Sequence, residues 1–188
     1  MNSYFGLALM SESADEQFTQ EFIQAIDKFL KEAMKLAIIG VGNEDNGDDA
    51  VGLYVLSILQ EANLPEWVTN FYCENVPEHF LGKFRRLEPD RIIILDAADM
   101  KEIPGAIAIF PKEAVSSGFH LSTHTLSLTM LEEFLKPAVP DLITMYVGIQ
   151  PKDLYFDTPL SEECKVAAEE FAELLIERIN LVGKEKAN

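Results

Sequence analysis

The chain has 188 residues, 48% of them hydrophobic, enough to bury one large core in a single domain. Its 15 Lys and Arg stand against 32 Asp and Glu, a formal net charge of −17 that repels phosphate backbones and anionic lipid, which argues against nucleic acid and membrane as partners and leaves a cation or a basic protein surface. Two isolated cysteines, Cys73 and Cys164, are too few for a disulfide scaffold or a thiolate zinc site; with no signal-peptide pattern and no membrane-length apolar stretch, a soluble cytoplasmic protein is expected.

Residues 1–15 are mixed and polar. From Phe18 to Ala33, the positions Phe18, Phe22, Ile26, Phe29, Leu30 and Ala33 recur at helical spacing and predict an amphipathic helix packed on the body or on a second copy of the chain. Its polar face is not rich in Lys and Arg, which argues against a membrane-surface role. The apolar run Leu36 to Val41 reads as a short buried strand that stops at Gly42-Asn43, in a loop holding Glu44, Asp45, Asp48 and Asp49. A helix over Ala50 to Ala62 follows, ended by Pro65, then a strand over Trp67 to Cys73 and a helix opening at Pro77 and reaching Leu87.

Arg91 to Ala97 is an unbroken apolar run ending in acid, the pattern of a central parallel strand buried on both faces. A strand over Ala106 to Phe110, a loop over Ser116 to Thr123, a helix over Thr125 to Lys136 and a strand over Leu142 to Ile149 come next. Ser161 is placed as an N-cap for a last helix to about Leu181. Strand and helix alternate, so a three-layer α/β domain with a mostly parallel sheet is expected, with room for one antiparallel strand. The expected division is an N-terminal extension over residues 1–35, a main domain over 36–182 and a tail over 183–188.

In such a sheet, ligands sit beyond the carboxyl ends of the strands. Asp49 follows the first strand, Asp96 ends the Arg91 strand and His124 starts a helix, so parallel topology can bring all three to one rim. Two carboxylates and an imidazole make part of a coordination sphere for a borderline divalent cation. Plainer roles stay open: Asp48 and Asp49 as solvated acids at a helix start, Asp96 as a turn cap, His124 as a loop histidine. Gly40-Val-Gly-Asn-Glu-Asp45 fails as a dinucleotide fingerprint, because Asp45 replaces the third glycine and the acids repel a pyrophosphate. Asp45 to Asp49 lacks the ligand spacing of a calcium loop. There is no Gly-x-Ser-x-Gly elbow, and neither cysteine has a histidine nearby in sequence, so buried structural thiols are expected.

Along the chain stand, in order, Gly40-Val-Gly-Asn43, Gly47-Asp-Asp-Ala-Val-Gly52, Asn75-Val-Pro-Glu78, Ile94-Leu-Asp-Ala-Ala-Asp-Met100, Ser122-Thr-His-Thr-Leu-Ser-Leu128 and Gly148-Ile-Gln-Pro151. Together, over about residues 36–180, they resemble the nickel-iron hydrogenase maturation endopeptidases, most closely the HycI type, which processes the large subunit of the formate hydrogenlyase hydrogenase (hydrogenase 3). The resemblance implies a three-layer α/β/α sandwich of the phosphorylase/hydrolase-like kind. It implies a nickel-dependent peptide hydrolase that removes the C-terminal extension of a hydrogenase large-subunit precursor after nickel insertion. Asp49, Asp96 and His124 match the family's metal-contacting and catalytic positions; Glu44, Asp45, Asp48, Asp99 and His120 do not. Glu44-Asp45-Asn46 replaces the more apolar residues common there and raises the local charge.

Three oxygen and imidazole ligands are fewer than the four of a closed structural site. The expectation is therefore that the nickel arrives with the precursor; monomer and weak homodimer both stay open as the working unit. A second reading, of another class, is a noncatalytic checkpoint that senses the nickel-loaded precursor without cutting it.

Overall fold

In a computed structural model, which describes residues 16–73, 81–110, 133, 135–137 and 139–187, the run Arg91–Ala97 is the middle strand of a five-stranded sheet. The strands are β1 (Leu36–Val41), β2 (Val68–Cys73), β3 (Arg91–Ala97), β4 (Ile107–Phe110) and β5 (Ile143–Ile149), in the order β2-β1-β3-β5-β4. Leu36 lies opposite both Val68 and Arg91, and Arg91 opposite Ile143, so four parallel strands start at one rim and end at the other. β4 is the antiparallel exception, with Ile107 opposite Ile149.

Because side chains alternate along a strand, β3 feeds two cores at once. Ile93 and Leu95 join Leu36, Ile38 and Val147 under the helices α1 (Glu16–Glu32), α2 (Val51–Glu61) and the long C-terminal α4 (Glu162–Lys186). Ile92 and Ile94 join Ala37, Ile39 and Tyr146 on the other face, with Phe84 of α3 (Leu81–Leu87) and Leu135. That is the expected three-layer arrangement. The expected helix start at Pro77, the loop over 116–123 and most of the helix over 125–136 lie outside the described residues. No helix among the described residues is long and apolar enough to cross a membrane.

α1 lays its apolar stripe on the domain itself. Phe22, Ile26, Phe29 and Leu30 are buried, and the Phe22 ring meets Phe171 of α4 edge-on at 6.2 Å. Each such side chain contributes about 1.5–3 kcal/mol when fully buried. Asp27 on the flank accepts two hydrogen bonds from Arg178, at 2.6 and 2.5 Å, a fork geometry that fixes the two helices in register.

α4 starts where the N-cap was expected: Ser161 Oγ accepts from Cys164 N at 3.3 Å. It runs past Leu181 to Lys186 because its last turns have tertiary partners. Lys186 Nζ donates to the carbonyls of Leu30 and Ala33 and lies 4.0 Å over the Trp67 ring.

Candidate functional site

The site is built by close backbone packing at the carboxyl rim. β1 ends at Val41, and Gly42 turns the chain with φ 146°; a Cβ there would stand 1.9 Å from the Asp49 carbonyl oxygen, so only glycine lets the returning chain come this near. The chain then forms a 3-10 turn over Gly47–Ala50 before α2, which takes Ala50 out of the helix expected to include it. Gly52, in the first turn of α2, lies so close to β3 that a Cβ would meet the Leu95 carbonyl oxygen at 2.2 Å. The 3-10 turn is thus pressed against the end of β3, one residue before Asp96.

The outcome is two carboxylates withdrawn from water at one rim: Asp49 is 7% exposed and Asp96 5%. Asp49 N donates to Asn46 O at 3.1 Å, and Asp96 sits opposite Gly148 in the β3–β5 register. The carbonyl of Asn43 accepts from Asn46 N and its side chain from Asp45 N, closing the turn that precedes Asp49.

Asp48 is buried even more deeply, at 1% exposure, in place of the solvated role open to it on sequence alone. Its Oδ1 accepts from Ser161 N at 2.7 Å; its Oδ2 accepts from Lys152 N at 2.7 Å, Ser161 Oγ at 2.8 Å and Asp153 N at 3.4 Å. Burial pushes the Asp48 carboxyl up, but the donors of Ser161, Lys152 and Cys164 outweigh it and hold the group below the ordinary aspartate value. Asp48 is therefore a structural tie between the Asp49 turn and the segment between β5 and α4.

Gln150, buried at the end of β5, does the same for the chain after Asp96. Its Oε1 accepts from Met100 N at 2.7 Å and Glu102 N at 3.3 Å, and its Nε2 donates to Pro151 O. The sequence motif Gly148-Ile-Gln-Pro151 carries no sign of this role for Gln150.

Other candidates separate from the pair. Glu44, Asp45 and Asp99 are exposed; Glu44 accepts from the Tyr72 hydroxyl and Asp99 pairs with Lys101. Both cysteines are fully buried, and burial pushes the Cys73 thiol up to about 12 and the Cys164 thiol up to about 11, so both stay protonated and inert near neutrality. His124, His120 and the segment Asn75 to Glu78 lie outside the described residues. Among the described residues no three His, Cys, Asp or Glu side chains form a group that could hold a metal ion. Asp49, in the 3-10 turn that follows β1, and Asp96, on β3, offer hard oxygen donors. A divalent cation matches their charge, and their burial lets little water screen the attraction.

The family model described as HycI, hydrogenase maturation protease, matches residues 56–178, a span that holds Asp96, His124 and Gln150 and begins just after Asp49. The chain is 32% identical over 132 residues to the hydrogenase 3 maturation protease of Escherichia coli K12, covering 70% of this chain and 83% of that protein. It is 37% identical over 161 residues, 82% of this chain and 93% of the relative, to a Methanocaldococcus jannaschii protein named for the same kind of protease. Among solved structures, it is similar to the crystal structure of a [NiFe] hydrogenase maturation protease HycI from Thermococcus kodakarensis, with TM-score 0.73 and 27% identity over 83% of this chain and 99% of that one.

Proposed function

The chain belongs to the hydrogenase maturation proteases, and from that premise we propose that it is an endopeptidase that removes the C-terminal extension of a nickel-iron hydrogenase large-subunit precursor after nickel insertion. The observation that carries the chemistry is the burial of Asp49, in the 3-10 turn after β1, and of Asp96, near the carboxyl end of β3, which that turn packs against. We assign the site to these two carboxylates and to His124, which lies outside the described residues.

In this reading the nickel is cargo of the precursor, and Asp49, Asp96 and His124 are the residues of this chain that would hold it from one side. The donor set fits: two carboxylate oxygens and an imidazole suit a borderline divalent cation but leave part of its sphere to other ligands. Bound there, the ion supplies Lewis acidity toward the scissile carbonyl. The residues of this chain orient that carbonyl and manage the proton. Water adds to the carbonyl carbon as its proton passes to Asp49 or Asp96, and the same proton goes on to the departing amine as the C–N bond breaks. Asp48 and Gln150 keep the two carbonyl-facing segments in place without touching the reacting atoms. We place this work in the cytoplasm, in keeping with two reduced, buried thiols.

The test is to incubate the purified protein with nickel-loaded and with empty precursor and to weigh the large subunit by mass spectrometry. Loss of the extension from the loaded precursor alone is expected, with far less than one nickel per purified protease. An extension left attached to the loaded precursor would favour the noncatalytic checkpoint. Equal cleavage of both precursors, or tightly held stoichiometric metal, would favour a metalloprotease with its own ion.

A further inference from the structure

Three successive apolar side chains stand in water beside the site: Leu154, Tyr155 and Phe156 are 51%, 72% and 75% exposed. Neither core uses them and the chemistry above does not need them. They are not on a loose loop. Asp48 N donates to Asp153 O at 3.1 Å, Gly47 N to Thr158 O at 3.1 Å and Asp157 N to Asp45 O at 2.7 Å, so both ends of the segment are fastened to the turn that carries Asp49. Inside it, Thr158 Oγ1 donates to Tyr155 O at 2.6 Å and Tyr155 N to Asp153 Oδ1 at 3.4 Å. The apolar tip therefore moves as one body with the catalytic turn.

Exposed acids, Glu44, Asp45 and Asp157, stand around this tip. An occupant must match both features: apolar side chains to cover the aromatic pair, and Lys or Arg to meet the acids. A second copy fails the second condition, since each copy carries a formal charge of −17 and its own acids would face these. Resting on the function proposed above, we propose that Leu154-Tyr155-Phe156 is the docking site of the large-subunit precursor, receiving an apolar segment flanked by basic residues and so setting the scissile bond over Asp49 and Asp96. A preformed tip with two aromatic anchors loses little freedom on binding, which is what makes a small patch effective.

The test compares the full-length parent with Tyr155→Ser/Phe156→Ser. Binding to the empty precursor, which is not cut, is followed by interferometry; cleavage of the loaded precursor gives KM and kcat. The variant is expected to raise Kd and KM about tenfold or more, with kcat within about twofold and an unchanged melting temperature. Parental Kd is also expected to weaken as salt is raised from about 0.05 to 0.5 M. Equal Kd and KM in parent and variant would overturn the proposal, as would failure of the parent to bind the empty precursor. A parental dimer in sedimentation that the variant dissolves would overturn it too, assigning the tip to a second copy. If the parent leaves the loaded precursor uncut, the proposed function falls, while the empty-precursor Kd still decides the docking site by itself.

Discussion

At the rim where the parallel strands begin, Asp90 and Glu32 are matched to donors that close joints. Asp90 accepts from Met34 N at 2.9 Å and Lys35 N at 2.6 Å, fastening the link between α1 and β1 to the start of β3. Arg91, largely buried, lies 3.3 Å from Glu32 and 3.4 Å from Asp90, and Lys35 Nζ donates to Leu87 O. At the rim where the strands end, the buried acids among the described residues are Asp48, Asp49 and Asp96, while Lys101 and Lys152 stay exposed and pair with Asp99 and Glu163. One rim uses carboxylates to join elements; at the other, Asp48 joins elements while Asp49 and Asp96 are withdrawn from water. The contrast teaches that burial of an acid does not by itself mark chemistry. Asp48 and Asp49 are adjacent and both buried, yet the backbone donors around Asp48 give it a joining role like that of Asp90.

The comparison is broken most directly at Asp96 and Asp49. Replacing either with Asn, nearly the same in shape, is expected to slow cleavage by at least about 100-fold while leaving the melting temperature near that of the parent, read from precursor mass and calorimetry. A variant that cuts at the parental rate would remove the distinction between the two rims. Asp48→Ala comes next. It strands the amides of Lys152 and Ser161, and a loss of about 2–4 kcal/mol in urea titration is expected, with cleavage reduced because the catalytic turn is no longer tied down. Asp90→Ala, at the opposite rim, is expected to cost about 1–2 kcal/mol and to leave cleavage intact below its melting temperature. Equal loss of cleavage in the Asp48 and Asp90 variants would show that the rims do not differ.

The smallest effect sharpens the contrast through pH. The folded-state value of Asp48 is depressed, so its contribution to stability is complete above the unfolded value and disappears as pH falls through the folded one. Parental stability should therefore decline below about pH 4, and Asp48→Asn should show a flatter acid limb in urea titrations between about pH 5 and pH 2. Superimposable acid limbs would show that the Asp48 tie carries no proton linkage.

Local patterns foretold the elements that local rules decide. The run Arg91 to Ala97 reads as a strand with two buried faces, the stripe from Phe18 to Ala33 as a packed helix and Ser161 as an N-cap; in the structure β3 spans Arg91–Ala97 and feeds both cores, α1 spans Glu16–Glu32 and packs on the domain, and Ser161 caps α4. Strand-end logic expected Asp49, Asp96 and His124 at one rim; Asp49 and Asp96 are buried in the turn after β1 and near the end of β3, and His124 lies outside the described residues. What it could not reach were partners far apart in the chain. Asp48 meets Lys152 across 104 positions and Ser161 across 113, and no spacing rule separates the first acid of Asp48-Asp49 from the second. The length of α4 was missed for the same reason, since Lys186 gains its partners from Leu30, Ala33 and Trp67. The outward Leu154-Tyr155-Phe156 tip reads in sequence like any short apolar run.

The two silent thiols give the molecule a pair of built-in clocks. Cys164 sits under the Asp48–Ser161 tie, with Sγ 3.3 Å from Gln150 O, in the core shared by α1, α2 and α4; Cys73 ends β2 in the core on the opposite face. Neither can meet an alkylating reagent until its own layer opens, so labelling rates at the two positions time the opening of the two layers separately. A precursor that clamps the catalytic rim would slow the Cys164 clock and leave the Cys73 clock running at its own pace.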